Sequence, residues 1–521
     1  MEHKIHPGGI PDSPDSNSLK PEYNEVESAN DSRDELSPPI FDAAATKRLL
    51  RKLDFRLIPF LALLYLLSFL DRTNIGNARL FDLELDLDMS GIDYNIALAI
   101  FFPTYVLAEV PSNMMIKRFS PSIWLTFIMV CWSVIVIGMG FVTNFDGLLA
   151  CRALLGLAEG GLFPGVSYYI TLWYPRHECG FRLALFFSAA TAAGAFGGLL
   201  AAAIGKMEDV AGRSGWSWIF IIEGLITIVV AAFAYWIIVD TPERQVYHFL
   251  LRVVANPFFS AKFLTAEEKL EINRRLVHDR SDLADEFDMR YFWDALKDWK
   301  IYVHMLITIG IYTAVYSFSL FLPTIIRNMG YTKVQAQLLS VPPYVLGCII
   351  TIGAGYYADK YKQRAVFMLA CSGTAIIGWA MLISTTMPGV QYTGTFLACA
   401  GIFPCVPLGV AWNGNNIGGS LKRGVGIAMH VGAGNLGGIL AAFIYLPKDR
   451  PQFHQGHGIL IGVITMSFCL STFMRFWLKK ENARRDQWAI ENNLFPGSYT
   501  QEQKQLERAK GDNATFFRYT V

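Results

Sequence analysis

Apolar residues fall in blocks of about 20 along the chain, the length an α-helix needs to cross a hydrocarbon core of about 30 Å. Twelve such blocks read as spans: 57–79, 93–116, 121–142, 147–173, 181–204, 216–239, 301–326, 333–358, 364–387, 390–415, 423–446 and 457–479. Residues 240–300 separate spans six and seven. That stretch carries a capping box, Thr265 to Glu268, and then "YFWDALKDWKIY", whose aromatics suit a membrane surface. The expected fold class is all-α and polytopic, with twelve transmembrane helices. A membrane β-barrel would show short alternating segments instead.

The pattern repeats. "GAFGGLLAAAI" at 194–204 matches "GNLGGILAAFI" at 434–444 in seven of eleven positions, and "GLFPGV" at 161 matches "GIFPCV" at 401 in four of six. Both pairs are 240 residues apart, and "PTYVL" at 103 returns as "PPYVL" at 342. Spans 2, 4 and 5 therefore recur as spans 8, 10 and 11. A six-helix unit returns to its starting side, so the copies are parallel, an arrangement used for alternating access around a midplane site. The expected organisation is a tail (1–45), a six-helix bundle (46–239), a linker (240–300), a second bundle (301–480) and a second tail (481–521).

Polar residues inside the blocks carry the chemistry. Leu57 to Leu70 is only about 21 Å of helix, too short to span, so the helix continues through Asp71 and Arg72. In the fourth span, "GLLACRALLGLAEGGLFPGVSYY", Arg152 lies about 8 Å deep and Glu159 near the centre, two turns apart on one face. Charges at such depth face a bundle interior or a cavity. Asp71 is expected to pair with Arg152, leaving Arg72 and Glu159 in the cavity. Glu159 then exchanges a proton as its surroundings change. The repeat supports a function for it, because position 399 of the second half is Cys. Asn74, Asn413 and Asn416 are candidate ligand contacts, and Tyr65, Phe163, Tyr312 and Tyr316 are candidate stacking surfaces for a flat ring. Glu109, in "AEVPSN", and Asp359, Lys360 and Arg364, in "GYYADKYKQR", are candidate gating groups.

Composition narrows the rest. The chain is 53% hydrophobic and 17% charged, below the roughly 25% charged residues of soluble domains. Net charge is +1 and gives no footprint for nucleic acid. Eight cysteines show no CxxC and nine histidines no ligand spacing, so no metal or cofactor is expected, and no nucleophile–base set suggests an enzyme. The N-terminal stretch lacks the apolar core of a signal peptide and reads as an acidic, Pro/Ser-rich disordered tail. Lys47, Arg48, Arg51, Lys52 and Arg56 flank the first span, and Lys479, Lys480, Arg484 and Arg485 flank the last. The positive-inside rule puts both ends in the cytoplasm.

Several of these stretches resemble known families. "GYYADKYKQR" is similar to the loop signature of the major facilitator superfamily, with Lys362 where its second Gly is usual. "RKLDFRLIPFLALLYLLSFLDRTNIGNA", "RALLGLAEGGLFPG" and "WNGNNIGG" resemble the fungal allantoate permease family of anion:cation symporters, with nicotinate permeases the nearest kind. The resemblance covers about residues 45 to 490. It implies proton-coupled uptake of a small organic anion such as allantoate, nicotinate, pantothenate or biotin, by a monomer in the plasma membrane. It also implies that Asp71, Arg72, Arg152 and Glu159 form the coupling and anion site. The alternatives are an exporter of a secondary metabolite on the same fold, and a non-transporting sensor.

Overall fold

The computed structural model describes residues 41–175, 178–205, 209–239, 263–281, 289–449, 452–492 and 510–521, with a few single positions between them. The expected N-terminal tail up to residue 40 and much of the linker (240–262 and 282–288) lie outside the described residues.

Among the described residues, twelve helices are long and apolar enough to cross a membrane. In order they are Ala43–Phe81, Asp93–Ile116, Pro121–Met139, Phe145–Thr171, Cys179–Ile204 and Gly215–Ile237, then Trp299–Asn328, Lys333–Tyr361, Arg364–Ser384, Pro388–Asn415, Leu421–Ile444 and His454–Glu491. Asp42 caps the first helix, its carboxylate accepting from the Ala45 N–H at 2.6 Å. That helix runs unbroken through Asp71 and Arg72 to Ala78. The fourth span breaks directly after Glu159: Phe145–Glu159 ends at Gly160, and Leu162–Thr171 begins after Gly161. The sequence capping box forms, with Thr265 N–H donating to Glu268 and Glu268 N–H to the Thr265 hydroxyl. Lys52 adds an ion pair to Glu268 at 2.7 Å and so ties the linker helix Ala266–Ser281 to the first span.

Within the first half the fifth span packs on the first, the sixth on the third and the fourth on the second. In the second half the eleventh packs on the seventh, and the tenth and twelfth on the ninth. The halves meet where the fifth span crosses the eighth and the second crosses the eleventh. These two contacts are counterparts, since spans 2 and 5 recur as 8 and 11. The repeated small residues sit in them: a side chain at Gly198 would run into Ser340 of the eighth span, and one at Gly438 into the Phe102 ring of the second. Small residues permit this close approach.

Twelve crossings bring both ends of the membrane domain to one face, called the terminal face below; the other is the far face. The twelfth helix continues well beyond the apolar block, to Glu491. Residues 510–521, expected only as part of a tail, return to the terminal face and pack there, with Asp512 0% and Tyr519 4% exposed.

Candidate functional site: a buried charge pair between the halves

Arg72 and Glu159 meet at the boundary of the two halves. Arg72 Nη2 lies 2.6 Å and Nε 3.2 Å from Glu159 Oε1, and the Ser68 hydroxyl donates to the same oxygen. Ser68 precedes Arg72 by four residues, one turn earlier on the same face. Among the described residues Glu159 Oε2 has no hydrogen-bond partner. The third guanidinium nitrogen, Nη1, crosses to the second half and donates to the Tyr316 hydroxyl at 2.9 Å, which donates to Asn435 Oδ1 at 2.7 Å. Arg72 is 2% and Glu159 0% exposed, so the protein is closed around them.

Aromatic rings complete the enclosure. The Arg72 guanidinium carbon lies 4.7 Å from the Tyr105 ring centre and 5.0 Å from that of Phe101. Faces of aromatic rings attract a cation at such distances. Seven residues, two turns, before Arg72 on the first helix, Tyr65 stands 5.6 Å from Phe163, 4.6 Å from Phe186 and 5.7 Å from Phe187, centre to centre.

The expected Asp71–Arg152 pair does not form. Successive residues on an α-helix point about 100° apart. With Arg72 aimed at the boundary, Asp71 turns into its own bundle. There its Oδ2 accepts from Trp132 Nε1 at 3.2 Å in the third span and from the Thr227 hydroxyl at 3.1 Å in the sixth. Arg152 instead donates to backbone oxygens, to Ala97 at 3.2 Å and to Arg72 at 3.3 Å, and so fastens the second span to the first.

The other candidates divide by place. Tyr312 and Tyr316 lie near the charge pair, their rings 5.9 Å apart. Tyr316 engages through its hydroxyl, and its ring centre lies 5.9 Å from the Arg72 guanidinium carbon. Glu109 stands with this central group, against Asn435 and Gly432, rather than with the terminal-face gating residues. Its Oε1 is buried with no hydrogen-bond partner among the described residues. Asn74 accepts from Asn77 at 3.2 Å on the first helix, beside Gly197 of the fifth.

Asn413 and Asn416 are engaged elsewhere. They sit at the terminal-face end of the tenth span, where Asn413 donates to Gly426 O at 3.2 Å and Asn416 bonds Thr520 of the returning C-terminal segment. Asp359 and Arg364 form an ion pair at 2.7 Å, and Asp359 also accepts the Phe181 N–H of the first half at 2.6 Å. Lys360 points its ammonium over Tyr361. Ser68, Tyr105, Trp132 and Thr227 were not singled out in the sequence. The one-turn spacing of Ser68 to Arg72 was the signal available for the first; the rest depend on how helices pack.

Two repeated six-helix bundles closed around a charge pair define an all-helical membrane transport protein. The chain belongs to the Major Facilitator Superfamily, whose family model matches residues 61–442, and it is a membrane transporter rather than an enzyme. It is 34% identical over 493 residues to the MFS-type transporter cnsO of Penicillium expansum, covering 92% of each chain. It is 31% identical over 440 residues to the high-affinity nicotinic acid transporter of Saccharomyces cerevisiae, covering 84% of this chain and 79% of that one. Its fold matches a bacterial homolog of the human lysosomal transporter Spinster, solved inward-facing and unoccupied, with a TM-score of 0.59 and 15% identity over 80% of this chain and 96% of that one.

Proposed function

We propose that the chain is a proton-coupled transporter importing a small organic monocarboxylate across the plasma membrane by alternating access. One observation carries this reading. Arg72 is neutralised by Glu159, and the same guanidinium reaches Tyr316 of the opposite half. A planar guanidinium is built to hold a carboxylate through two parallel hydrogen bonds. While Glu159 is ionised it occupies that fork. A proton on Glu159 removes the competitor and frees Arg72 for the substrate carboxylate. Proton and anion then bind together and cross together, and a monoanion with one proton moves no net charge.

The rings of Tyr65, Phe163, Phe186 and Phe187 offer a wall against which a flat ring stacks. The similarity to a nicotinic acid transporter supports a substrate of this size and charge. The Asp359–Arg364 pair, which also holds Phe181 of the first half, acts as the terminal-face gate. The Lys/Arg-rich flanks of the first and last spans make that face cytoplasmic.

The test is uptake of labelled nicotinate and a panel of small carboxylates by proteoliposomes, with and without an inward proton gradient. The wild type is expected to concentrate one of them only with the gradient. Glu159→Gln is expected to lose accumulation while keeping exchange of substrate for substrate. Accumulation by the Gln variant against a concentration gradient refutes this coupling role, and indifference of the wild type to the proton gradient refutes symport altogether.

A further inference from the structure

A densely bonded polar cluster lies on the terminal face of the second half. Asp298, Lys300 and Lys422 converge there, and the C-terminal segment inserts Asp512 among them. Lys300 Nζ lies 2.5 Å from Asp512 Oδ2 and Lys422 Nζ 2.6 Å from Oδ1. Asp298 Oδ2 is 2.8 Å from Lys422 and 3.3 Å from Lys300. With Asp512 in place there are two cations and two anions. Without it Asp298 faces both lysines alone.

The rest of the segment is held by groups that match its backbone. Arg485 of the twelfth helix donates to Asp512 O at 2.8 Å and Phe517 O at 3.0 Å, and its guanidinium lies over the Tyr519 ring. Asn482 forms a reciprocal pair with the Tyr519 backbone, at 2.8 and 2.9 Å. Asn416 does the same with Thr520, at 3.0 and 2.7 Å, and Trp412 Nε1 also donates to Thr520 O at 3.0 Å. A side chain at Gly418 would run into the backbone of Gly511 and Asp512. Three members of the "WNGNNIGG" stretch thus serve this segment rather than the centre.

The last contact joins the segment to the latch between halves. Val521 O accepts the Arg364 backbone N–H at 3.1 Å. The Arg364 guanidinium holds Asp359 at 2.7 Å, and Asp359 holds Phe181 N–H of the fifth span at 2.6 Å. One short segment therefore ties the seventh, ninth, tenth, eleventh and twelfth helices into one body on this face and braces the residue that closes it.

We propose that residues 511–521 form a releasable strap, bound in a dedicated cationic peptide site, that holds the terminal face closed by bracing Arg364. The bonds are ionic and polar, and the segment carries one short 3-10 turn, Gly511–Asn513, and no transmembrane helix, so the strap leaves its site without unfolding a span. With the strap off, the five helix ends move separately, and the Asp359–Phe181 latch loses its support.

Cys179, 3% exposed and one residue from the Gly180 contact with Asp359 and Arg364, reports on the latch. Three purified chains in proteoliposomes are compared: wild type, Gly418→Ala, and a chain ending at Lys510. Each is treated with an acylating reagent for Lys300 and Lys422 and with a water-soluble maleimide for Cys179, and read by mass spectrometry. Both variants are expected to acylate the two lysines faster and to label Cys179 about tenfold faster, the change given by 1.4 kcal/mol of docking free energy. Adding the free peptide 511–521 to the shortened chain is expected to restore slow labelling, and a peptide carrying Asp512→Asn is not. Lysines equally protected in all three chains would show that no such site is occupied. Lysines exposed with Cys179 labelling unchanged would leave the segment a structural tail and overturn the gating role. If Gly418→Ala fails to fold, the peptide titration of the shortened chain decides by itself.

Discussion

At the scale of single residues, two neighbours on one helix have separate surroundings. Asp71 and Arg72 are adjacent in sequence, yet one is bonded by the third and sixth spans and the other by the fourth and seventh. Their depth was legible from counting: the run of 14 residues from Leu57 to Leu70 is too short to cross, so both had to lie inside the bilayer. Their partners were not, because helix rotation is set by packing against all neighbours at once. Arg72 uses three nitrogens toward partners on two helices in different halves. A lysine offers one ammonium and cannot span both. Arg72→Lys is therefore expected to lower the initial rate of carboxylate uptake at least about tenfold, a loss of about 1.4 kcal/mol. A normal rate in proteoliposomes would show that the forked geometry is dispensable.

At the scale of elements, close approaches between helices decide which faces hold the halves together. Gly76 on the first span meets the seventh so tightly that an added Cβ would stand 2.5 Å from the Leu320 backbone oxygen. Backbone cannot swing aside as a side chain can, so the two spans must part. Gly76→Ala is expected to fold but to loosen the far face. Hydrogen exchange should quicken at the far-face ends of the first and seventh spans and stay unchanged near Asp359. Uniform exchange throughout would show that the contact is not a hinge between halves. The eighth span ends with Lys362 at φ +54°, the left-handed conformation that glycine adopts freely. That explains why the family signature has glycine there. The repeat in spans 5 and 11 was legible as sequence. That each copy packs against the opposite half was not.

At the scale of the whole molecule, the returning C-terminal segment changes the picture most. Burial alone would raise the Asp512 pKa, but Lys300 and Lys422 outweigh it and hold it below the ordinary carboxylate value. Asp298, Tyr519 and Arg485 complete its surroundings. A carboxyl whose pKa is depressed when docked contributes its full stabilisation above the undocked value, about 3.9, and loses it as pH falls through the lower docked value. The strap is therefore expected to stay docked from pH 8 to 5 and to release only below about pH 4. Fluorescence anisotropy of a dye on a residue added after Val521 should be flat over the first range and drop below it. A drop between pH 8 and 5 would mean that some other group governs docking.

The sequence by itself determined the all-helical class, the number of spans, the duplicated halves and the burial of Arg72, Arg152 and Glu159. The spans and the buried charges follow from local rules, since a bilayer admits long apolar helices or closed barrels and tolerates charge only toward an interior, and the duplication follows from matching segments along the chain. Only the tertiary structure decided that Arg72 and Glu159 bond each other while Asp71 and Arg152 find separate partners, that Glu109 belongs to the centre, and that Asn416 serves the C-terminus. These outcomes depend on the rotation of each helix about its axis and on contacts between residues more than half the chain apart, such as Glu109 and Asn435. Such contacts are selected by packing and hydrogen bonding among all elements together, and no periodicity within one segment records them.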